Sequence, residues 1–393
     1  MNEGANLNSM FSVPARIFIG KDALAAARDS IKKAGKKAMV VTDPTMAQIG
    51  STGRVTRLLD EIGTQYAVYD GVTSEPTDRI VLAGKKVYLE NQCDFLIAVG
   101  GGSSIDTMKA VGTLITNPGE ITDYFGKIIP NPLPPTFAVP TTAGTGSEAT
   151  QFTIITDTKR DIKMLLKGGG LIPSAAIVDY SFTQTAPPFV TAATGLDALC
   201  HAVEAYTSRK AQPLSDLFAL DAVKKIVSSL PRAFADGSDQ KARESMSLAA
   251  LEAGIAFNNS SVTIIHGMSR PIGALFHVPH GLSNAMLLPN CLEFALPGAQ
   301  KRFADLSEAI GACKPGDSQE EAGKAFVRAI RQLCRKLKVD TPVSFGIDKR
   351  KFFDSIEKMT KDALTSGSPA NTMRKVSADD IEAIYESLWN GGE

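Results

Sequence analysis

The sequence predicts an α/β nucleotide-binding domain with a parallel sheet over residues 1–187, followed by an all-helical domain over residues 188–393. Three observations carry that reading. Short apolar runs rich in β-branched residues alternate with helical stretches through the first half, the pattern of a parallel sheet wrapped by helices. A glycine triplet, Gly100-Gly101-Gly102, directly follows one of those runs and directly precedes a helical segment. From Pro187 onward, alanine- and leucine-rich amphipathic segments take over.

Taken in order, "KAMVVTD" ends at Asp43, "QYAVYDG" ends at Gly71, and "CDFLIAVGGGSSID" carries a strand into the glycine turn. Between the last two, Ile80, Ala83 and Val87 fall at helical spacing within residues 76–90. After the proline-rich connection at residues 130–135, "TFAVPTT" reads as a further strand and "FTIITDTKRDIKMLL" as a hairpin, which takes the sheet region to about residue 185. The second half contains "ATGLDALCHAVEAYTS", "SDLFALDAVKKIVSSL", "RESMSLAALEAGIAF" and "EEAGKAFVRAIRQLCRKL", all helical by periodicity. Pro187-Pro188 marks the boundary, as either a linker or a turn inside one packed unit.

Hydrophobic residues make up 44% of the 393 positions, enough for a sizeable core. The 42 basic residues balance 42 acidic ones, so no global field draws the chain to nucleic acid or to an anionic membrane. Cys93, Cys200, Cys291, Cys313 and Cys334 are scattered and show no CxxC spacing, against both a disulfide framework and a thiolate zinc site. The opening "MNEGANLNSMFSVPARIFIG" has no basic region leading into an apolar run, and no apolar stretch reaches about 20 residues. A soluble, cytoplasmic protein is expected.

Only 4 histidines occur, and His266, His277 and His280 lie close together. The fourth, His201, follows Asp197 by four positions in a helical segment, so both side chains leave one helix face about one turn apart. A carboxylate with imidazoles suits Fe(II) or Zn(II), and the lack of nearby cysteine suits an open catalytic site. Singly, each residue has a plainer reading: a core or surface histidine, or Asp197 as a helix cap near Thr194-Gly195. Packing gives little reason for Asp-x3-His and His-x13-His to gather together.

Gly100-Gly101-Gly102-Ser103, placed between strand and helix, presents backbone N–H groups and a positive helix end to a pyrophosphate, although it is not the GxGxxG fingerprint. The loop from Thr141 to Ser147 is either a polar turn or a set of donors to phosphate and ribose. Asp43, at a strand end, can accept from an adenosine ribose and repel a 2'-phosphate, favouring NAD over NADP; equally, it can cap a helix that begins at Pro44.

"ATGLDALCHAVEAYTS" and "HGMSRPIGALFHVPHGLSNAMLLP" resemble the two signature regions of the iron-containing alcohol dehydrogenase family, and the likeness runs from "PARIFIG" through "GGGSSID" and "PTTAGTGSEAT" to "SADDIEAIYESLW". The resemblance implies that Asp197, His201, His266 and His280 hold one divalent metal, Fe(II) in preference to Zn(II), with His277 a spare imidazole lining the site. It implies a dinucleotide held by Gly101, Gly102, Ser103 and Asp106 of the GGGSxxD loop, by Thr141, Thr142 and Thr145, and by Thr150, Phe152 and Lys163. It further implies hydride transfer between NAD(H) and a small alcohol or aldehyde, with the metal as Lewis acid on the substrate oxygen, in a homodimer or larger homo-oligomer. One departure stands out: many members carry a second histidine four residues after the third ligand, where this chain has Arg270. Arg270 is either a structural replacement or a fixed cation for an anionic substrate group.

Relatives on the same scaffold include glycerol dehydrogenase, dehydroquinate synthase, glycerol-1-phosphate dehydrogenase and maleylacetate reductase, the last working without metal and disfavoured by the intact Asp and three His. A hydroxyacid-oxoacid transhydrogenase is set apart by whether bound cofactor exchanges with free NAD. A metal- and nucleotide-binding protein without turnover is set apart by an assay for NADH formation.

Overall fold

Six short strands pair in parallel in the order β1-β8-β5-β4-β2-β3, where β1 is Arg16–Ile19, β2 Lys37–Thr42, β3 Gln65–Tyr69, β4 Phe95–Gly100, β5 Thr136–Pro140 and β8 Ala175–Val178. The computed structural model describes residues 9–390. Alternation along β2 sends Met39 and Val41 to one face, with Val81 and Tyr88 of α1 (Asp78–Glu90) and Ile105 and Met108 of α2 (Gly102–Thr116). Ala38 and Val40 go to the other, with Val55 and Leu59 of the helix Ser51–Glu61. Helices therefore cover both faces, and β4 is buried at every position, which is why its sequence is a continuous apolar run.

Strand order positions the loops. The chain runs from β2 outward to the edge strand β3, then returns to β4 and continues through β5 on the other side. Crossovers on either side of β2 and β4 diverge, which makes the carboxyl ends of these two strands the switch point at which parallel α/β sheets take ligands. Asp43 follows β2 and the glycine turn follows β4. The hairpin β6 (Phe152–Asp157) and β7 (Ile162–Lys167) is present, but as a two-stranded antiparallel sheet of its own. It packs on α2, where Asp106 takes the Ile154 N–H at 2.9 Å and the Thr153 hydroxyl bonds the Asp106 carbonyl at 2.9 Å.

The chain divides into two units, residues 12–186 and residues 187–390 joined by residues 9–11. Sequence reading placed residues 9–11 with the α/β half. They sit with the helices because Phe11 stacks on Phe218 at 5.9 Å and the Gln212 side chain donates to the Met10 carbonyl at 3.3 Å. In the helical unit, α3 (Pro188–Thr207) has Pro187 as its N-cap and Pro188 as its first residue, a position where the missing N–H costs nothing. It is buried along most of its length against α4 (Pro213–Ala235), α5 (Gln240–Asn258) and α7 (His280–Ala295), with α6 (Ile264–Phe276) lying before α7. Among the described residues no helix is long and apolar enough to cross a membrane.

Candidate active site

Asp197 and His201 leave α3 one turn apart, His266 comes from the first turn of α6, and His280 is the first residue of α7. Asp197, His201 and His266 bring one ligand atom each to within 4.8 Å of one another, and all three are buried. Nε2 of His201, His266 and His280 lie 3.9, 3.6 and 3.7 Å from Asp197 Oδ1. Around a four-coordinate ion with bonds of about 2.0–2.2 Å, neighbouring ligand atoms stand roughly 3.3–3.6 Å apart, so Asp197, His201 and His266 are spaced to share a metal, with His280 Nε2 at a comparable distance from the same carboxylate oxygen. Gly281 lets α7 approach α3 closely enough for this: a Cβ there would lie 2.4 Å from the Ala193 carbonyl oxygen.

Two further side chains hold these residues in place. Glu204, three residues after His201, is 1% exposed and receives at Oε1 the N–H groups of Thr263 (2.9 Å), Ile265 (2.8 Å) and His266 (3.3 Å) and the Thr263 hydroxyl (2.8 Å). Its other oxygen bonds Nδ1 of His266. Asn284, one turn after His280, donates from its amide to Asp197 Oδ1 at 2.7 Å and lies 3.1 and 3.3 Å from Nε2 of His266 and His280.

The charges are strongly coupled. Burial opposes ionisation of Asp197, but His201, His280 and His266 more than offset it and hold the carboxyl well below its usual range. Burial likewise works against a charged His266, yet Glu204 and Asp197 raise it to about 9. His280, whose side chain is 36% exposed, is pushed down to about 4 by loss of solvation and by the positive charges of His266, His201 and Arg270, against the pull of Asp197.

In the α/β unit the two loops read as cofactor-binding face each other. A Cβ on Gly102 would lie 2.8 Å from the Thr145 methyl, and one on Gly101 would lie 3.5 Å from Thr142, so glycine is required at the first and keeps the second open. The Thr141 N–H bonds the Gly100 carbonyl at 3.0 Å, joining the loops at their base. Ser103 lies in the first turn of α2, whose N-cap Gly101 has no side chain to satisfy the free amides.

Residues 14–180 match the iron-containing alcohol dehydrogenase family, and residues 191–389 match the C-terminal region of the Fe-containing alcohol dehydrogenase family. The chain belongs to the iron-containing alcohol dehydrogenase family. It is an alcohol dehydrogenase or aldehyde reductase of that family. It is 38% identical over 381 residues to alcohol dehydrogenase 4 of Saccharomyces cerevisiae, covering 96% of this chain and 98% of that protein. A crystal structure of 1,3-propanediol oxidoreductase matches with a TM-score of 0.94 at 35% identity, over 97% of this chain and 99% of the other. Sulfoacetaldehyde reductase from Bifidobacterium kashiwanohense, solved in complex with NAD+, matches with a TM-score of 0.87 at 28% identity, over 98% and 99% of the two chains.

Within this iron-containing dehydrogenase scaffold, several residues read from the sequence turn their polar atoms toward the protein. Asp106 accepts from the Ser147 hydroxyl at 2.6 Å and the Ile154 N–H at 2.9 Å, one oxygen holding the second loop and the other the hairpin strand β6. Thr150 and the Phe152 carbonyl receive Lys109, and Lys163 pairs with Glu75. Asp43 caps the helix Pro44–Gln48 through the Met46 N–H at 3.0 Å, while its other oxygen lies beside Gly100. His277 is exposed, adopts a left-handed conformation with φ 54°, and ends α6. Arg270 is partly buried, and its Nη1 lies 3.4 Å from Ser368 Oγ.

Sequence reading missed Glu204, Asn284 and Lys109. The first two follow histidines of the cluster at helical spacing, His201-x2-Glu204 and His280-x3-Asn284, and that spacing was the available signal. Lys109 is fully buried and donates to Ser147 Oγ, Thr150 Oγ1 and the carbonyls of Thr150 and Phe152 at 2.8–3.1 Å. Burial pushes it down to about 8, against Asp106 and Glu148, and pushes the Glu148 carboxyl up to about 7.

Proposed function

We propose that the chain is a metal-dependent, NAD-linked reductase of small aldehydes, working in reverse on primary alcohols, with a preference for aldehydes that carry an anionic group. Convergence of one carboxylate and three imidazole Nε2 atoms at 3.6–3.9 Å carries the reading. Asp197, His201, His266 and His280 hold one divalent ion, Fe(II) in preference to Zn(II), because a mixed oxygen and imidazole set suits both and the family is iron-containing. Such an ion, when bound, supplies Lewis acidity to the substrate oxygen.

The protein's own groups do the rest. Gly101, Gly102 and Ser103 offer amides and a helix end to the pyrophosphate, Thr142 and Thr145 lie beside the glycines, and Thr141, Asp106, Thr150, Phe152 and Lys163 are assigned to the same cofactor site by the family pattern. Arg270 supplies a permanent cation for a substrate oxyanion, and His277 passes the alcohol proton to water. Five unpaired cysteines suit a reducing cytoplasm, and the open edges of β1 and β3 suit assembly as a homodimer or larger oligomer. The direct test is NADH oxidation with neutral and anionic aldehydes, using protein reconstituted with Fe(II) or Zn(II). Absence of turnover across the whole panel would defeat the reading.

Two substitutions probe the finer assignments. Asp43→Gly is expected to raise catalytic efficiency with NADPH relative to NADH; glycine is tolerated at an N-cap at a cost of a few tenths of a kcal/mol, so the fold is spared. Equal use of the two cofactors by the wild type removes the basis for that assignment. His277→Ala is expected to keep its metal and to lose turnover by about 10²-fold. His277→Asn, which accepts the left-handed backbone, should lose as much; full activity in the asparagine variant would show that only the backbone matters.

A further inference from the structure

A single buried carboxylate performs two tasks at the start of α6. The N-cap residue Thr263 makes no side-chain cap of its own, and the N–H groups of Ile265 and His266 are instead taken by Glu204 Oε1, reaching across from α3. Four donors surround that oxygen, so the carboxylate cannot turn. Its second oxygen is thereby aimed at Nδ1 of His266, while Nε2 of the same ring stands 3.6 Å from Asp197 Oδ1.

We propose that Glu204 is a positioning residue that selects the tautomer of His266, holding the proton on Nδ1 so that the Nε2 lone pair is presented to the metal. The proposal rests on the metal reading above. Partners of this kind orient a ligating imidazole and raise its basicity, and their loss typically weakens metal binding by about 10- to 100-fold.

Glu204→Gln separates positioning from capping. Four donors around the Oε1 position force the glutamine carbonyl to remain there, which keeps the helix cap and turns the amide NH2 toward His266 Nδ1. A donor then meets the atom that must carry the proton, and the imidazole is driven to the Nε2–H form, which cannot bind metal through Nε2. Zinc affinity, measured by competition with a chromophoric chelator, is expected to fall about 10- to 100-fold while the Tm of the metal-free protein stays near that of the wild type. Thr263→Val, which removes one capping bond without touching the imidazole, should lower Tm and leave zinc affinity unchanged.

An unchanged zinc affinity in Glu204→Gln overturns the proposal, and so does a loss of affinity in Thr263→Val as large as that in Glu204→Gln. Should Glu204→Gln fail to fold, ¹⁵N spectra of zinc-loaded wild-type protein decide: a proton on Nδ1 of His266 supports the assignment, and ligation through Nδ1 overturns it. Wild-type protein that binds no zinc overturns the metal reading together with the proposal, an outcome distinct from selective failure of the variant.

Discussion

Protein carrying His266→Ala is expected to lose nearly all bound metal and all measurable turnover while its fold persists. His266 stands in the middle of the imidazole set, with ring centroids 4.5 Å from His201 and 5.4 Å from His280. Its removal takes away one of the four proposed ligands and leaves the Glu204 oxygen that bonded Nδ1 without a partner in a buried place. A buried group left unpaired in this way costs roughly 1–3 kcal/mol, enough to lower Tm and too little to unfold a domain of this size. Helix α6 keeps its cap, since the amide bonds to Glu204 Oε1 do not involve the imidazole. Metal analysis of the purified variant, with circular dichroism as the check on folding, reads the outcome. Stoichiometric metal in a folded variant would show that the ligands lie elsewhere.

The convergence of Asp197, His201 and His266 was legible because histidine is scarce in this chain, so a cluster of it carries information that a cluster of alanine or leucine could not. Helical spacing alone put Asp197 and His201 on one face. The same spacing also places Glu204 within about 60° of His201 around the helix, but an acid there reads as a solvated residue until its partner is known. Only the packing of α6 against α3 reveals that this direction points at free amides. Lys109 illustrates the same limit: three positions after Asp106, it reads as surface, yet the hairpin β6–β7 and the preceding loop close over it with four acceptors. Strands β2 to β5 were readable from their apolar runs. Strands β1 and β8 were not singled out, being four residues each and too short to show a period. Asp43 was read two ways, and its two oxygens face both ways, one on the helix amide and one beside the glycine turn.

Arg270 sets the other large expectation, a selective loss on charged substrates. Its guanidinium offers five donors, and the bond to Ser368 Oγ, at 3.4 Å, is at the long end of hydrogen-bond distances. Burial works against its charge and Glu204 supports it, but the Glu204 carboxylate is already taken up by α6 and His266. The cation therefore has spare donors, and its field reaches His280, one of the four proposed ligands. A carboxylate or sulfonate on the substrate would pair with those donors as a planar fork. Loss of one partner from such a pair costs roughly 2–5 kcal/mol, which corresponds to about 30- to 5,000-fold in KM. Arg270→His, assayed at pH 8 where an ordinary imidazole is neutral, is expected to raise KM for an anionic aldehyde by that factor relative to propanal. Equal losses on both aldehydes would place Arg270 in support of the cofactor or of α6, and the preference for anionic substrates would then have no group to carry it.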